Sequence, residues 1–231
     1  MKNIHKLSLH FDSKSLLHDF QNLLPDWEMH FNTQYYSGNW SGIPLRAAVD
    51  KNHTLSAGDE SNTVFEDTEY LDKAPYLQEV LSHFKTPKQS VRLLRLTPGS
   101  EIKEHQDFGL GYFDGAVRLH VPILTNPKVE FCVEGENIPM TVGECWFANF
   151  NAPHSVANHG DTDRVHLVVD LEVNEWLQQL FEKEGIIDTE ETPEERHNEE
   201  EQRQIIASLK EMGTDTSLKL AREMEEKISG A

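Results

Sequence analysis

Between Ser13 and Leu24 apolar residues recur at helical spacing, with Leu16, Leu17, Phe20, Leu23 and Leu24 on one stripe, which predicts an amphipathic helix. Asp12 or Ser13 is placed to cap it and Pro25 to stop it. A second helical stretch opens at Pro75, carries Leu77, Val80, Leu81 and Phe84, and closes before Pro87. Residues 26–50 mix aromatics with turn signals such as Ser37-Gly38-Asn39-Trp40-Ser41-Gly42. Within them Ile43–Val49 reads as a strand near a sheet edge, because Pro44 cannot donate to a ladder. The polar stretch Asp50–Thr68 reads as a long loop and a candidate lid.

From Ser90 the period shortens from helical to alternating. Strands are expected at 91–96, 102–107, 116–124, 129–133, 143–150 and 164–171, with turn dipeptides between them. Short strands at this spacing point to a sandwich or barrel rather than βαβ units. The fold class expected is mainly β with flanking helices, a jelly-roll or cupin-like barrel whose two sheets bring distant strands to one mouth. After Asp170 a helix capped by Asn174 carries Trp176, Leu177, Leu180 and Phe181. Residues 182–201 are dominated by Glu and read as a solvated linker. Two short helical patterns follow, with Ile205, Ile206 and Leu209, then Leu218, Leu220, Ala221 and Met224. The expected division is a barrel domain over 1–185 and an acidic linker with a helical extension over 186–231. The pattern leaves two arrangements open for that tail, packing back on the barrel or joining a second copy in a homodimer.

Composition narrows the partners. A formal net charge of −19 repels phosphates and argues against nucleic acid or an anionic membrane surface. The mean hydropathy of −0.58 is that of a polar globular chain. No stretch approaches the roughly 18 apolar residues a membrane span needs, and the start, Met1-Lys2-Asn3-Ile4-His5-Lys6, lacks the apolar core of a signal peptide. Two cysteines, Cys132 and Cys145, suit a reducing compartment. The expectation is a cytoplasmic protein.

The chemistry centres on residues 98–107, Pro-Gly-Ser-Glu-Ile-Lys-Glu-His-Gln-Asp. On a strand, His105 and Asp107 would share a face with Gln106 opposed. The missing third ligand would be a second imidazole on another strand, for which His154 is the candidate, and the three would then make the 2-His-1-carboxylate face of non-haem Fe(II) oxygenases. The strand Asp163–Asp170 puts Arg164 and His166 on one face and Val165, Leu167 and Val169 on the other. If the apolar face packs on protein, Arg164 looks into the barrel, where a cation needs an anionic partner. A dicarboxylate cosubstrate offers one through a charge-assisted pair. Arg118-Leu119-His120 repeats the device on another strand.

Residues 91–171 resemble the aspartyl/asparaginyl β-hydroxylase family of Fe(II)/2-oxoglutarate dioxygenases, which includes bacterial free-proline hydroxylases. The pieces that carry the resemblance are Leu96-Thr97-Pro98-Gly99-Ser100 leading into His105-Gln106-Asp107, then Arg118-Leu119-His120-Val121-Pro122, Gly143-Glu144-Cys145-Trp146-Phe147, His154-Ser155-Val156-Ala157-Asn158 and Arg164-Val165-His166-Leu167. The resemblance implies a double-stranded β-helix and Fe(II) on His105, Asp107 and His154. It also implies 2-oxoglutarate and O2 as cosubstrates, the former anchored by Arg164. His120 is expected near the metal or the cosubstrate, His166 beside Arg164 or the cosubstrate, and Arg118 on a substrate carboxylate. Animal aspartyl hydroxylases lack the carboxylate ligand, whereas Asp107 is present, so the small bacterial members are the nearer pattern. The expected substrate is a small carboxylate-bearing amino acid. The alternatives are a peptide or protein hydroxylase, and a non-oxygenase cupin-type enzyme or binding protein.

Overall fold

The computed structural model describes residues 1–23, 27–49, 53–56, 63–187, 203–210, 217–219, 221–222 and 224–225. The expected stop at Pro25, much of the polar loop after Val49, the Glu-rich run beyond Ile187 and Leu220 lie outside these residues. Two compact units are present, Met1–Ile187 and Asp188–Ala231.

In the first unit the order is β1 (Ile4–His10), α1 (Ser13–Asn22), β2 (Glu28–Met29), β3 (Tyr36–Ser37), β4 (Trp40–Ala48), β5 (Phe65–Asp67), α2 (Glu69–Asp72), α3 (Pro75–Ser82), β6 (Lys88–Leu96), β7 (Glu101–His105), β8 (Ala116–Leu124), β9 (Val129–Val133), β10 (Glu136–Asn137), β11 (Glu144–Ala148), β12 (His154–Asn158), β13 (Arg164–Glu172) and α4 (Glu175–Lys183). The larger sheet runs β1-β11-β8-β13-β6-β4-β2, with β5 added to β4, and the smaller runs β10-β9-β12-β7-β3. Every pairing is antiparallel. The architecture is a double-stranded β-helix with helices on the outer face of its larger sheet.

Strand alternation explains the two cores. Val117, Leu119, Val121 and Ile123 of β8 and Val165, Leu167, Val169 and Leu171 of β13 join Leu16 and Phe20 of α1, Leu77 and Val80 of α3, and Leu177 and Phe181 of α4. The opposite face of that sheet contributes Leu94, Leu96, Ala116, Ala148 and Val168 to a second core shared with Ile102, Phe131, Val133 and Val156 of the smaller sheet. Each fully buried Leu, Val or Phe contributes roughly 1.5–3 kcal/mol, so the apolar positions decide which face of β8 and β13 turns inward.

Local signals set the helices. The Asp12 side chain accepts the Ser15 N–H at 2.8 Å and caps α1, and Asn174 accepts from Leu177 N at 3.0 Å and caps α4. Helix α3 begins with Pro75 and has no cap of its own. Buried Asp19 of α1 supplies one, accepting from Leu77 N at 2.9 Å. The strand expected at 43–49 is longer, and it lies one strand in from the edge. Pro44 falls between the residues paired with β2 (41–42) and with β5 (46–48), at a register shift opposite β6. β1 and β12 add strands that the alternation did not single out. β5 lies inside the stretch read as loop.

In the second unit, residues 203–210 are helical, with Ile206 buried and Ile205 exposed. Among the described residues no helix is long and apolar enough to cross a membrane.

Candidate metal centre

The inner face of the larger sheet carries polar side chains at alternate positions: Arg92 on β6, Arg118 and His120 on β8, Arg164, His166 and Asp170 on β13. All six are buried. Apart from His166 and Asp170 they line a cleft of about 740 Å³ together with His30, Leu55, His105, Asp107, Phe108, Phe131, Phe150 and His154.

His105, Asp107 and His154 each offer a ligand atom, all within 4.8 Å of one another. His105 and His154 are register partners across β7 and β12, and the pairing slips between His154 and Val156, an irregularity of the kind that re-aims side chains at sites. His105 Nδ1 lies 2.8 Å from Lys103 O, and His154 Nδ1 lies 3.0 Å from Ala152 O. A carbonyl only accepts, so both Nδ1 atoms carry the proton and both Nε2 lone pairs are left for a cation. Burial lowers the His154 pKa to about 4, which keeps it in the neutral, metal-binding form.

Asp107 departs from the expected geometry. Strand β7 ends at His105, so alternation along a strand does not deliver the carboxylate. A loop does: Asp107 N–H donates to Phe150 O at 2.9 Å, and Arg118 Nη1 donates to Asp107 Oδ2 at 2.5 Å. The other oxygen, Oδ1, lies 3.6 Å from His105 Nε2. Burial favours the neutral acid, but Arg118, His154 and His105 outweigh it and hold the carboxyl below its usual range.

Arg164 sits deeper. Its guanidinium lies over the Phe131 ring, 5.5 Å from the centroid, and burial pulls its pKa down to about 9. Among the described residues no carboxylate pairs with it, and its buried Nε has no hydrogen-bond partner. Arg164 Nη2 donates to His166 Nδ1 at 2.9 Å. His120 Nδ1 lies 3.2 Å from the same atom. A guanidinium can only donate, so His166 Nδ1 must accept and His120 Nδ1 carries a proton. One lone pair therefore serves two donors. Burial, with Arg164 adding to it, holds both imidazoles well below their ordinary pKa and neutral. The pocket has surplus donors and a surplus positive charge, the complement of a carboxylate.

Arg118 is not the free cation expected for a substrate carboxylate. Besides Asp107 it donates from Nε to Asp170 Oδ1 at 2.7 Å and from Nη2 to Asp170 Oδ2 at 3.1 Å. Burial opposes its charge, but Asp170 and Asp107 more than compensate and raise its pKa. Arg92 donates from Nη2 to Asp170 Oδ2 at 2.6 Å and from Nη1 to Leu55 O at 3.0 Å, and its Nε is buried without a partner. Sequence reasoning passed over Arg92 and Asp170. The signal was present: Asp170 continues the inward series Arg164, His166, Val168, and Arg92 precedes inward Leu94 and Leu96. His30, stacked on Trp40 at 3.5 Å and lowered to a pKa of about 3 by burial with Arg92 and Arg118 adding to it, had no comparable signal.

Fold and site together define a cupin-like double-stranded β-helix with a two-histidine, one-carboxylate cluster at the end of the smaller sheet. Residues 9–173 match the family model described as aspartyl/asparaginyl beta-hydroxylase, and the chain belongs to that family. It is 33% identical over 109 residues to an L-proline cis-4-hydroxylase of Rhizobium meliloti (strain 1021), covering 46% of this chain and 39% of the relative. It is 24% identical over 168 residues to L-proline cis-3-hydroxylase 1 of a Streptomyces species, covering 71% of this chain and 58% of that one. The chain thus spans between two fifths and three fifths of the length of these relatives. In fold it is similar to a 2OG-Fe(II) oxygenase family oxidoreductase from Burkholderia pseudomallei, with a TM-score of 0.51 at 14% identity over 75% of this chain and 88% of that one.

Proposed function

We propose that the protein is an Fe(II)- and 2-oxoglutarate-dependent hydroxylase of a small carboxylate-bearing amino acid. The observation that carries this reading is Arg164, a buried guanidinium without a carboxylate partner among the described residues, lining the same cleft as the His105–Asp107–His154 cluster. A divalent metal alone gives Arg164 nothing to bind. A dicarboxylate that reaches the metal at one end and Arg164 at the other suits both. The donor set fits Fe(II): two neutral Nε2 atoms and one carboxylate oxygen leave positions open for further ligands.

When bound, Fe(II) with 2-oxoglutarate and O2 supplies oxidative decarboxylation to succinate and CO2, with one oxygen atom inserted into a substrate C–H bond. The chain's own residues bind, orient and exclude. His105, Asp107 and His154 hold the metal. Arg164 holds the far carboxylate of the cosubstrate, a pair strengthened by its dry surroundings. His166 sets the angle of the guanidinium, and the Nδ1–H of His120, 3.2 Å from His166 Nδ1, would be a further donor beside that carboxylate. Phe131 and Phe150 line the cleft around His120 and keep water from the reacting groups. Arg118 is committed to Asp107 and Asp170 and Arg92 to Asp170 and Leu55 O, so a substrate carboxylate would be met by the N–H groups that these two cleft-lining guanidiniums have left over. The two proline-hydroxylase relatives support a free amino acid of proline's size.

The test is anaerobic titration of the purified protein with Fe(II) and 2-oxoglutarate, followed by aerobic succinate release with a panel of free amino acids. A visible metal-to-ligand charge-transfer band and succinate formation with proline or a close analogue are expected. No band in the presence of both would reject the cosubstrate. A band with succinate released only on adding a peptide or protein would move the substrate to that class.

A further inference from the structure

Asp170 is fully buried, does not line the cleft, and yet is bonded to the side chain that holds a metal-site carboxylate. It is the direct register partner of Arg118 across β8 and β13. Arg118 grips it with two donors, Nε at 2.7 Å and Nη2 at 3.1 Å. A guanidinium held by a two-point fork has its plane fixed, so the remaining Nη1 is aimed, and it is aimed at Asp107 Oδ2. That leaves Asp107 a single oxygen, Oδ1, on the side of His105 Nε2. Arg92 supplies the second cation on Asp170. The four groups balance in charge, two guanidiniums against two carboxylates.

The geometry points to Asp170 as a positioning residue of the metal centre: acting through Arg118, it keeps Asp107 a one-oxygen ligand. This rests on the metal-binding reading above. The consequence is chemical. A carboxylate free to use both oxygens would take a second position on the metal, and the proposed chemistry needs that position for the cosubstrate or O2. With Asp170 removed, Arg118 loses its fork and its hold on Oδ2 loosens. Asp107 then loses its fixed orientation, as metal ligands do when an outer partner is taken away.

The test uses the full chain and Co(II) alone, without cosubstrate or substrate, so that metal binding is read apart from turnover. Asp170→Asn is expected to raise the Co(II) Kd by about 10–100-fold and to change the intensity of the visible Co(II) bands, which report coordination number. The charge-balanced Arg92→Met/Asp170→Asn variant, which removes a buried ion pair whole, is expected to show the same loss. In an Arg118→Met background, adding Asp170→Asn is expected to cause no further loss, because the effect runs through Arg118. A folded variant that binds Co(II) as wild type does, with unchanged bands, overturns the proposal, as does additivity in the Arg118→Met background. Failure of the charge-balanced variant to fold makes Asp170 a structural ion-pair partner only and overturns it too. Absence of Co(II) binding by the wild-type chain takes down the proposed function, and this inference with it.

Discussion

His105 and His154 face each other as register partners on β7 and β12, their ring centroids 4.2 Å apart. Each ring is anchored by an Nδ1–H donated to the carbonyl two residues earlier, Lys103 O on β7 for His105 and Ala152 O just before β12 for His154. Cross-strand neighbours have Cβ atoms roughly 4.5–5.5 Å apart. Pairing these two strands is therefore enough to bring two imidazoles within reach of one ion, before Asp107 is added from the loop that follows.

Metal binding should be lost when either imidazole is removed. His105→Ala and His154→Ala are each expected to weaken Fe(II) or Co(II) binding beyond the about 10–100-fold of an outer-shell loss, measured by anaerobic titration. In the wild-type chain a metal at 100 times its Kd adds about 2.7 kcal/mol, which raises the melting temperature of a unit this size by about 5–10 °C. That shift should be absent from both variants and reversed by a chelator. Wild-type affinity in either variant rules out the assigned ligands.

Arg164→Met is expected to raise the KM for 2-oxoglutarate by about 10–1000-fold, a loss of roughly 1.5–4 kcal/mol for a charge-assisted pair. Co(II) affinity should stay as in wild type. The cosubstrate-free protein should melt no lower, because the substitution takes away a buried, unpaired charge. A large drop in melting temperature with an unchanged KM identifies Arg164 as a structural residue, held by His166 and the Phe131 ring, instead.

The end of the barrel unit is testable by truncation. Ile186 and Ile187 are buried, Lys2 N–H donates to Ile186 O at 2.8 Å, and Ile186 N–H donates to Phe181 O at 2.8 Å. A chain cut after Ile187 should keep its fold by circular dichroism and its Co(II) affinity. A cut after Glu184 removes two buried isoleucines, each worth roughly 1.5–3 kcal/mol, and should melt markedly lower. Equal melting of the two would show that the isoleucines contribute nothing to the unit.

Thiol chemistry separates the cysteines. Cys145 is fully buried on β11, where burial, with the Glu184 charge adding to it, pushes its thiol well above the ordinary value; Cys132 on β9 is half-buried. Native protein should react with a thiol reagent at Cys132 first, and at Cys145 only on unfolding. Mass spectrometry of labelled peptides reads the order, and early labelling of Cys145 contradicts it.

Gly38 holds φ +81° where the β3–β4 turn closes on Ser100, and an added Cβ would collide with the Ser100 side chain and Cα. That hydroxyl accepts Asn39 N–H at 2.8 Å. Gly38→Ala should destabilise the barrel by about 1–3 kcal/mol through the strained backbone and the clash, seen in chemical denaturation. A change under about 0.5 kcal/mol would mean that the turn can move away.

Much of the site could be read from alternation. On β13 the apolar set Val165, Leu167 and Val169 had to pack outward against helices, and that alone turned Arg164 and His166 inward. The same reasoning applied to β8 turned Arg118 and His120 inward, while His154 was reached through the motif His154–Asn158 and the family resemblance rather than through an expected strand. Period-two patterning is local, so it survives without knowledge of partners. The caps Asp12 and Asn174 were legible for the same reason.

What each inward side chain bonds to was decided by tertiary structure. Arg118 carries the same guanidinium in any partnership, and only the pairing of β8 with β13 put Asp170 beside it, with Asp107 brought in from the loop after β7. Asp19 reads as one more polar position on α1, and only the packing of α1 on α3 made it the cap of another helix. Asp107 was expected from strand alternation, but β7 ends at His105, and a loop held by Phe150 O and Arg118 carries the carboxylate to the cluster. Sequence by itself determined which faces point inward, because burying apolar surface is a property of the local pattern. The choice among ionic partners depends on which strands lie side by side, and only the folded sheets supply that.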